Sequence, residues 1–127
     1  MTATHLADTS AWAQIHRSEV AARLGSLFVG GGAATCGLVD LEALAAVAGP
    51  AEHAEALAER RLFPQVPVDD AVLARAAELQ GLVGPGVPVN ALVVAAAAER
   101  AGLILLHSDP VFERIAAVSG QPVEGVS

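Results

Sequence analysis

Four residues with oxygen-bearing side chains stand where a fold could bring them together: Asp8, Glu42, Asn90 and Asp109. Asp8 closes a short apolar run, Leu6-Ala7, and is followed by the small hydroxyl residues Thr9 and Ser10. Asp109 follows the run Leu103-Ile104-Leu105-Leu106 after two polar residues, His107 and Ser108. Both acids therefore read as strand-end residues. In open parallel sheets, ligands gather beyond the carboxyl ends of strands where the strand order reverses. If these two strands are neighbours, both carboxylates face one crevice. Glu42 would join them from the helix after the second strand, at the border of its buried stripe, and Asn90 from the start of a later helix. Several oxygen ligands converging on one point suit a hard cation such as Mg²⁺, with Mn²⁺ as a substitute. A water held there is acidified for attack on a phosphodiester. A plainer account is also open: Asp8 caps a turn, Glu42 is a solvated edge residue, and Asp109 pairs with Arg114.

The elements that would carry these residues follow from periodicity. Residues 17–29 place Val20, Leu24, Leu27 and Phe28 at helical spacing, and Gly30-Gly31-Gly32 ends that helix. The glycines are not a phosphate loop, because no helix with a Lys-Ser/Thr start follows. Ala33–Cys36 is a second strand. Residues 37–47 form a helix with Leu38, Leu41 and Ala45 inward and Asp40 solvated. Residues 51–62 form another, with Arg61 on its inner side; the adjacent pair Arg60-Arg61 is explained equally well by a solvated face or by a local arginine cluster. Residues 63–68 are extended, and Pro64 and Pro67 confine them to a sheet edge. Asp69 caps a helix over 70–82. Asn90 stands at the expected N-cap of 91–101, a nearly all-apolar helix that belongs at the centre of the fold. Residues 103–106 are the clearest buried strand. A last helix runs from Pro110 to Gly120, and 121–123 form a terminal edge strand. Strands alternating with helices predict a parallel sheet covered on both faces.

Composition narrows the function. The chain has 127 residues, enough for one domain spanning 1–127. It is 54% hydrophobic, much of that alanine, with three Phe, one Trp and no Tyr. Fourteen acids face seven arginines and no lysine, a net charge of −7. Such a surface repels nucleic acid in general, so an RNA-directed role needs metal ions or a local arginine cluster. Cys36 is the only cysteine, which excludes an internal disulfide, and nothing points to zinc. A reducing cytoplasm is the expected home. No basic segment precedes an apolar run at the start, and no apolar stretch approaches a membrane span.

Four blocks resemble the signature segments of PIN-domain proteins, and within them the VapC toxins of bacterial VapBC toxin–antitoxin modules. They are Leu6–Trp12, Thr35–Glu42, Val87–Ala96 and Leu105–Ala116. The resemblance implies a three-layer α/β/α fold around a parallel sheet of about five strands in the order 3-2-1-4-5. It implies a Mg²⁺-dependent endoribonuclease, usually a homodimer, silenced by a VapB-type antitoxin whose tail enters the active site. Asp8, Glu42 and Asp109 match three of the family's four acidic positions and are the implied catalytic and metal-binding residues. Ser10 matches a supporting hydroxyl position. Asn90 stands where the fourth acid is normally Asp, and Val111 where a second acid often follows the strand-end Asp. Asn can lend a neutral oxygen to a metal but removes one negative charge. The alternative is therefore a PIN-fold protein of weakened or lost catalysis that still dimerises and binds an antitoxin.

Overall fold

The computed structural model of the chain describes residues 2–127. Five parallel strands form one sheet: β1 (His5–Ala7), β2 (Ala33–Cys36), β3 (Gln65–Val66), β4 (Ile104–His107) and β5 (Val123–Gly125). Their order is β3-β2-β1-β4-β5, as the resemblance implies. β1 lies between β2 and β4, with Leu6 opposite Ala34 on one side and Leu105 on the other. The chain thus reverses its direction of travel across the sheet between β1 and β4. The proline-flanked β3 occupies one edge, where a missing N–H donor does least harm.

Seven helices connect the strands: α1 (Thr9–Trp12), α2 (Ser18–Val29), α3 (Gly37–Leu44), α4 (Pro50–Arg60), α5 (Asp70–Val83), α6 (Val89–Ala101) and α7 (Val111–Ser119). Side chains alternate across the sheet, as a period of two requires. Leu6, Ala34 and Leu105 enter one core with α5, α6 and α7. Ala7, Ala33 and Leu106 enter the other with α1 and α2. The result is a three-layer α/β/α fold. α6 is its most enclosed helix, with every residue from Ala91 to Ala98 buried. A helix apolar on all sides must be wrapped on all sides, and its alanines let neighbouring backbones approach. Gly102 ends it in the left-handed conformation at φ 70°, so that β4 begins two residues later.

Three local expectations need correction. Asp40 is buried rather than solvated, and it is Val39, Asp40 and Leu44 that α3 turns inward. Leu41 is 67% exposed and Ala45 also faces out. The cause lies on α4, where Arg60, not Arg61, points inward. Arg60 Nε donates to Asp40 Oδ1 at 2.8 Å, and both side chains are only 12% exposed. Thr35 donates to the same oxygen, Gln65 Nε2 donates to Asp40 Oδ2, and the guanidinium lies over the rings of Trp12 and Phe63. Phe28 is also outside the buried stripe of α2, half exposed against the edge of Phe63.

Candidate functional site

Asp8 is the first residue past β1, and its own N–H donates to the carbonyl of Leu106 on β4 at 2.9 Å. Its carboxylate caps α1, with Oδ2 accepting the N–H of Ser10 at 2.9 Å. The capping expectation is thus met, but a cap alone does not explain so deep a carboxylate, only 8% exposed. Burial pushes the Asp8 carboxyl above the ordinary carboxylate range; the charge of Glu42 adds to that, and the bonds from Ser10 oppose it. Two negative groups close enough to sense each other in a low-dielectric pocket favour a cation.

Glu42 is half-buried on α3 and held at both oxygens. Thr9 Oγ1 donates to Oε1 at 3.2 Å, and Asn90 Nδ2 donates to Oε2 at 2.7 Å. Asn90 is not the N-cap of α6. That place belongs to Pro88, and the helix starts at Val89, so Asn90 lies in the first turn with its amide free to reach across. Ser10 closes the site from the other side: its Oγ accepts the N–H of Ser108 at 3.0 Å, tying α1 to the loop after β4.

Asp109 follows β4, the strand beside β1, and is exposed. Its Oδ1 accepts the N–H of Val111 at 3.0 Å, and its own N–H donates to His107 Nδ1 at 3.2 Å. It forms no ion pair with Arg114 among the described residues. Asp8, Glu42, Ser10 and Asn90 are therefore linked around one edge of the sheet, with Asp109 at the same edge on the neighbouring strand. Among the described residues, no three carboxylate, imidazole or thiol groups close into a ready metal cluster. The donor set is nonetheless oxygen throughout. Mg²⁺ is commonly held by only one or two carboxylates with waters and substrate phosphates completing its shell. The pair Asp8 and Glu42 fits that mode.

Thr9 and His107 are contributors that the sequence pattern did not single out. Thr9 was legible as a hydroxyl beside the strand-end acid. His107 sits in an otherwise apolar strand, a signal in itself.

Among known proteins, the model of the PIN domain family matches residues 6–118. No curated protein sequence matches the chain. The fold is similar to VapBC2 from Rickettsia felis, solved bound to a DNA fragment from their promoter, at TM-score 0.74 and 13% identity over 100% of both chains. It is similar to FitAcB from Neisseria gonorrhoeae at TM-score 0.71 and 22% identity, over 94% of this chain and 96% of that one. VapBC-5 from Mycobacterium tuberculosis, a member of the VapBC family of toxin–antitoxin systems, is 26% identical over 98% of each chain, with TM-score 0.56. The family model spans most of the chain, and the chain belongs to the PIN domain family.

Proposed function

We propose that this chain is the toxin of a VapBC-type toxin–antitoxin module, a single-domain Mg²⁺-dependent endoribonuclease acting in the cytoplasm. The observation that carries the reading is the pair Asp8 and Glu42, mutually repelling at the sheet edge where strand order reverses, in a chain of the PIN family. Asp8, Glu42 and Asp109 serve as the catalytic and metal-holding acids, and Mn²⁺ can substitute for Mg²⁺. When bound, Mg²⁺ supplies an acidified water and a counter-charge for the phosphodiester oxygens. The chain's own residues do the rest. Thr9 and Asn90 hold the Glu42 carboxylate in place, and Ser10 fixes the Asp8 turn against the β4 loop. RNA approaches a protein of net charge −7, so binding depends on cations at this edge.

A VapB-type antitoxin is the proposed inhibitor, inserting an Arg or Lys between the acids, since a guanidinium matches carboxylates bidentately. A separate apolar groove of about 360 Å³ next to α1, lined by Trp12, Ile15, Leu24, Phe28, Leu62 and Phe63, offers the antitoxin's apolar residues a surface. On another side, Leu41, Leu73 and Val89 are exposed around a groove of about 640 Å³ that also includes Asn90. That exposed apolar face supports a homodimer in which a second copy covers it.

One observation favours a second reading. The amide of Asn90 donates to Glu42, Asp109 is exposed, and among the described residues no three such groups close together, so the acid cluster is thinner than four carboxylates. A protein of weakened cleavage that keeps antitoxin binding fits that geometry. The test is RNA cleavage by the purified chain with Mg²⁺, with excess chelator, and as Asp8→Ala. Metal-dependent cutting abolished by the substitution supports the enzyme. Antitoxin binding without cutting supports the second reading.

A further inference from the structure

β4 ends on His107, whose side chain is among the most enclosed polar groups of the fold, the residue being only 3% exposed. Its ring rests on Phe112 of α7 with centroids 5.4 Å apart. Gly125 of β5 lies beneath it, close enough that an added Cβ would touch Cε1 at 3.8 Å. The backbone of His107 is held as well, its carbonyl accepting the N–H of Val126 at 2.7 Å. Such a ring cannot turn freely.

Both ring nitrogens are engaged, and in opposite senses. Nδ1 accepts the backbone N–H of Asp109 at 3.2 Å, so it carries no proton. The proton then sits on Nε2, which lies 3.2 Å from Oε1 of Glu113 and donates to it. The tautomer of an imidazole is set by the partner of its other nitrogen, and here that partner is a carboxylate. Without Glu113 the ring could equally carry its proton on Nδ1, where it would face the Asp109 N–H and break the contact.

We infer that His107 is a positioning residue for Asp109, with Glu113 setting the tautomer that makes it one. Nδ1 holds the Asp109 amide from one side, while the Asp109 carboxylate is tied to the N–H of Val111 on the other. Together these bonds fix the turn between β4 and α7 and thereby keep Asp109 at the carboxyl edge of the sheet. Beyond these bonds, the loop is tied by the Ser108 N–H to Ser10 Oγ and by the Phe112 N–H to the Asp109 carbonyl. This inference rests on the reading of Asp109 as a member of the metal-holding acids.

Two measurements test it. Nitrogen-15 spectroscopy of the unaltered, metal-free chain at mildly alkaline pH reads the ring directly: a bare Nδ1 and a protonated Nε2 are expected. A proton on Nδ1 overturns the assignment, whatever any variant does. The second uses two near-isosteric replacements followed by Mn²⁺ calorimetry. In His107→Asn the amide oxygen takes the place of Nδ1; in His107→Gln the amide nitrogen takes the place of Nε2. Asn should keep Mn²⁺ affinity within about twofold, whereas Gln should lose about tenfold, the low end of what outer-shell partners of a metal site cost. Equal affinities in the two variants sink the positioning role, even if both melt earlier. Failure of the unaltered chain to bind Mn²⁺ is a different result, because it overturns the metal site on which the inference depends.

Discussion

Asn90→Asp reverses the sign of one contact and tests the site from both sides. In the unaltered chain, Nδ2 of Asn90 donates to Glu42 Oε2 at 2.7 Å. The substitution removes that donor and sets a second carboxylate against the first. Once the pair relaxes to about 4 Å, its repulsion amounts to roughly 1–4 kcal/mol between the bulk-water and protein-surface dielectric limits. Asn90 is exposed, so the lower half of that range applies. The lost bond to a charged acceptor adds about 1 kcal/mol, reduced by the water that replaces it. Metal-free stability should therefore fall by about 1.5–3 kcal/mol, lowering Tm by about 6–11 °C for a chain of this size. Capping contributes nothing to the difference, because Asn90 is not the cap of α6. With Mg²⁺ or Mn²⁺ the sign inverts: a further carboxylate at the edge should tighten metal binding by on the order of 1–2 kcal/mol, or about 5- to 30-fold in Kd. Ribonuclease activity should rise with it. Thermal melts with and without metal, alongside calorimetric titration, read both signs in one preparation. Adding Glu42→Gln to the variant should recover most of the metal-free loss, since the repelling partner is gone. A variant as stable as the parent without metal, and no better at binding it, would refute the contact between Asn90 and Glu42.

Asp8→Asn should raise the metal-free Tm at neutral pH. Burial lifts the folded-state pKa of Asp8, so its ionisation costs stability as pH rises from the ordinary carboxyl value through the raised one; the gap to the parent should close only as pH falls well below 3.8, where both states are protonated. A gap that persists unchanged in acid would point to packing instead. Asp40→Ala should destabilise by about 3–5 kcal/mol in denaturant melts, because it strands the Arg60 guanidinium in a largely buried position; a loss under about 1 kcal/mol would mean water reaches that pair. Leu41→Glu and Leu73→Glu, both at exposed apolar positions, should convert a dimer to monomers in sedimentation while leaving Tm at low protein concentration nearly unchanged. A dimer that survives both substitutions uses another face.

The parts of the fold that were legible in sequence are those where one signal dominates. The run Leu103–Leu106 is a strand by continuous apolarity, and Ala91–Ala98 is a central helix because it has no polar side. The strand-end positions of Asp8 and Asp109 followed from those boundaries. α3 failed for the opposite reason: Leu38, Val39, Leu41 and Leu44 put apolar residues on both sides of the helix, so periodicity cannot choose between them. The choice is made by Arg60, which buries Asp40 and turns Leu41 outward from a different helix. Asn90 was misread for a comparable reason. Local preference favours Asn as a cap, whereas the structure starts α6 at Val89 and engages the Asn90 amide with Glu42. A side chain whose role depends on a partner 48 residues away leaves no local mark.

The strand order has a consequence for synthesis. β1 pairs with β2 on one side, but its other neighbour, β4, emerges from the ribosome only after nearly the whole of the intervening chain. At roughly 5–20 residues per second, β1 waits on the order of 5–20 s with one edge unpaired. Long-range parallel pairing of this kind is slow even once both strands exist, because loop closure precedes any gain from contact. Asp8 meets the carbonyl of Leu106, and Ser10 meets Ser108, only when that last pairing closes. The acidic edge is therefore assembled late, and a nascent chain cannot display it.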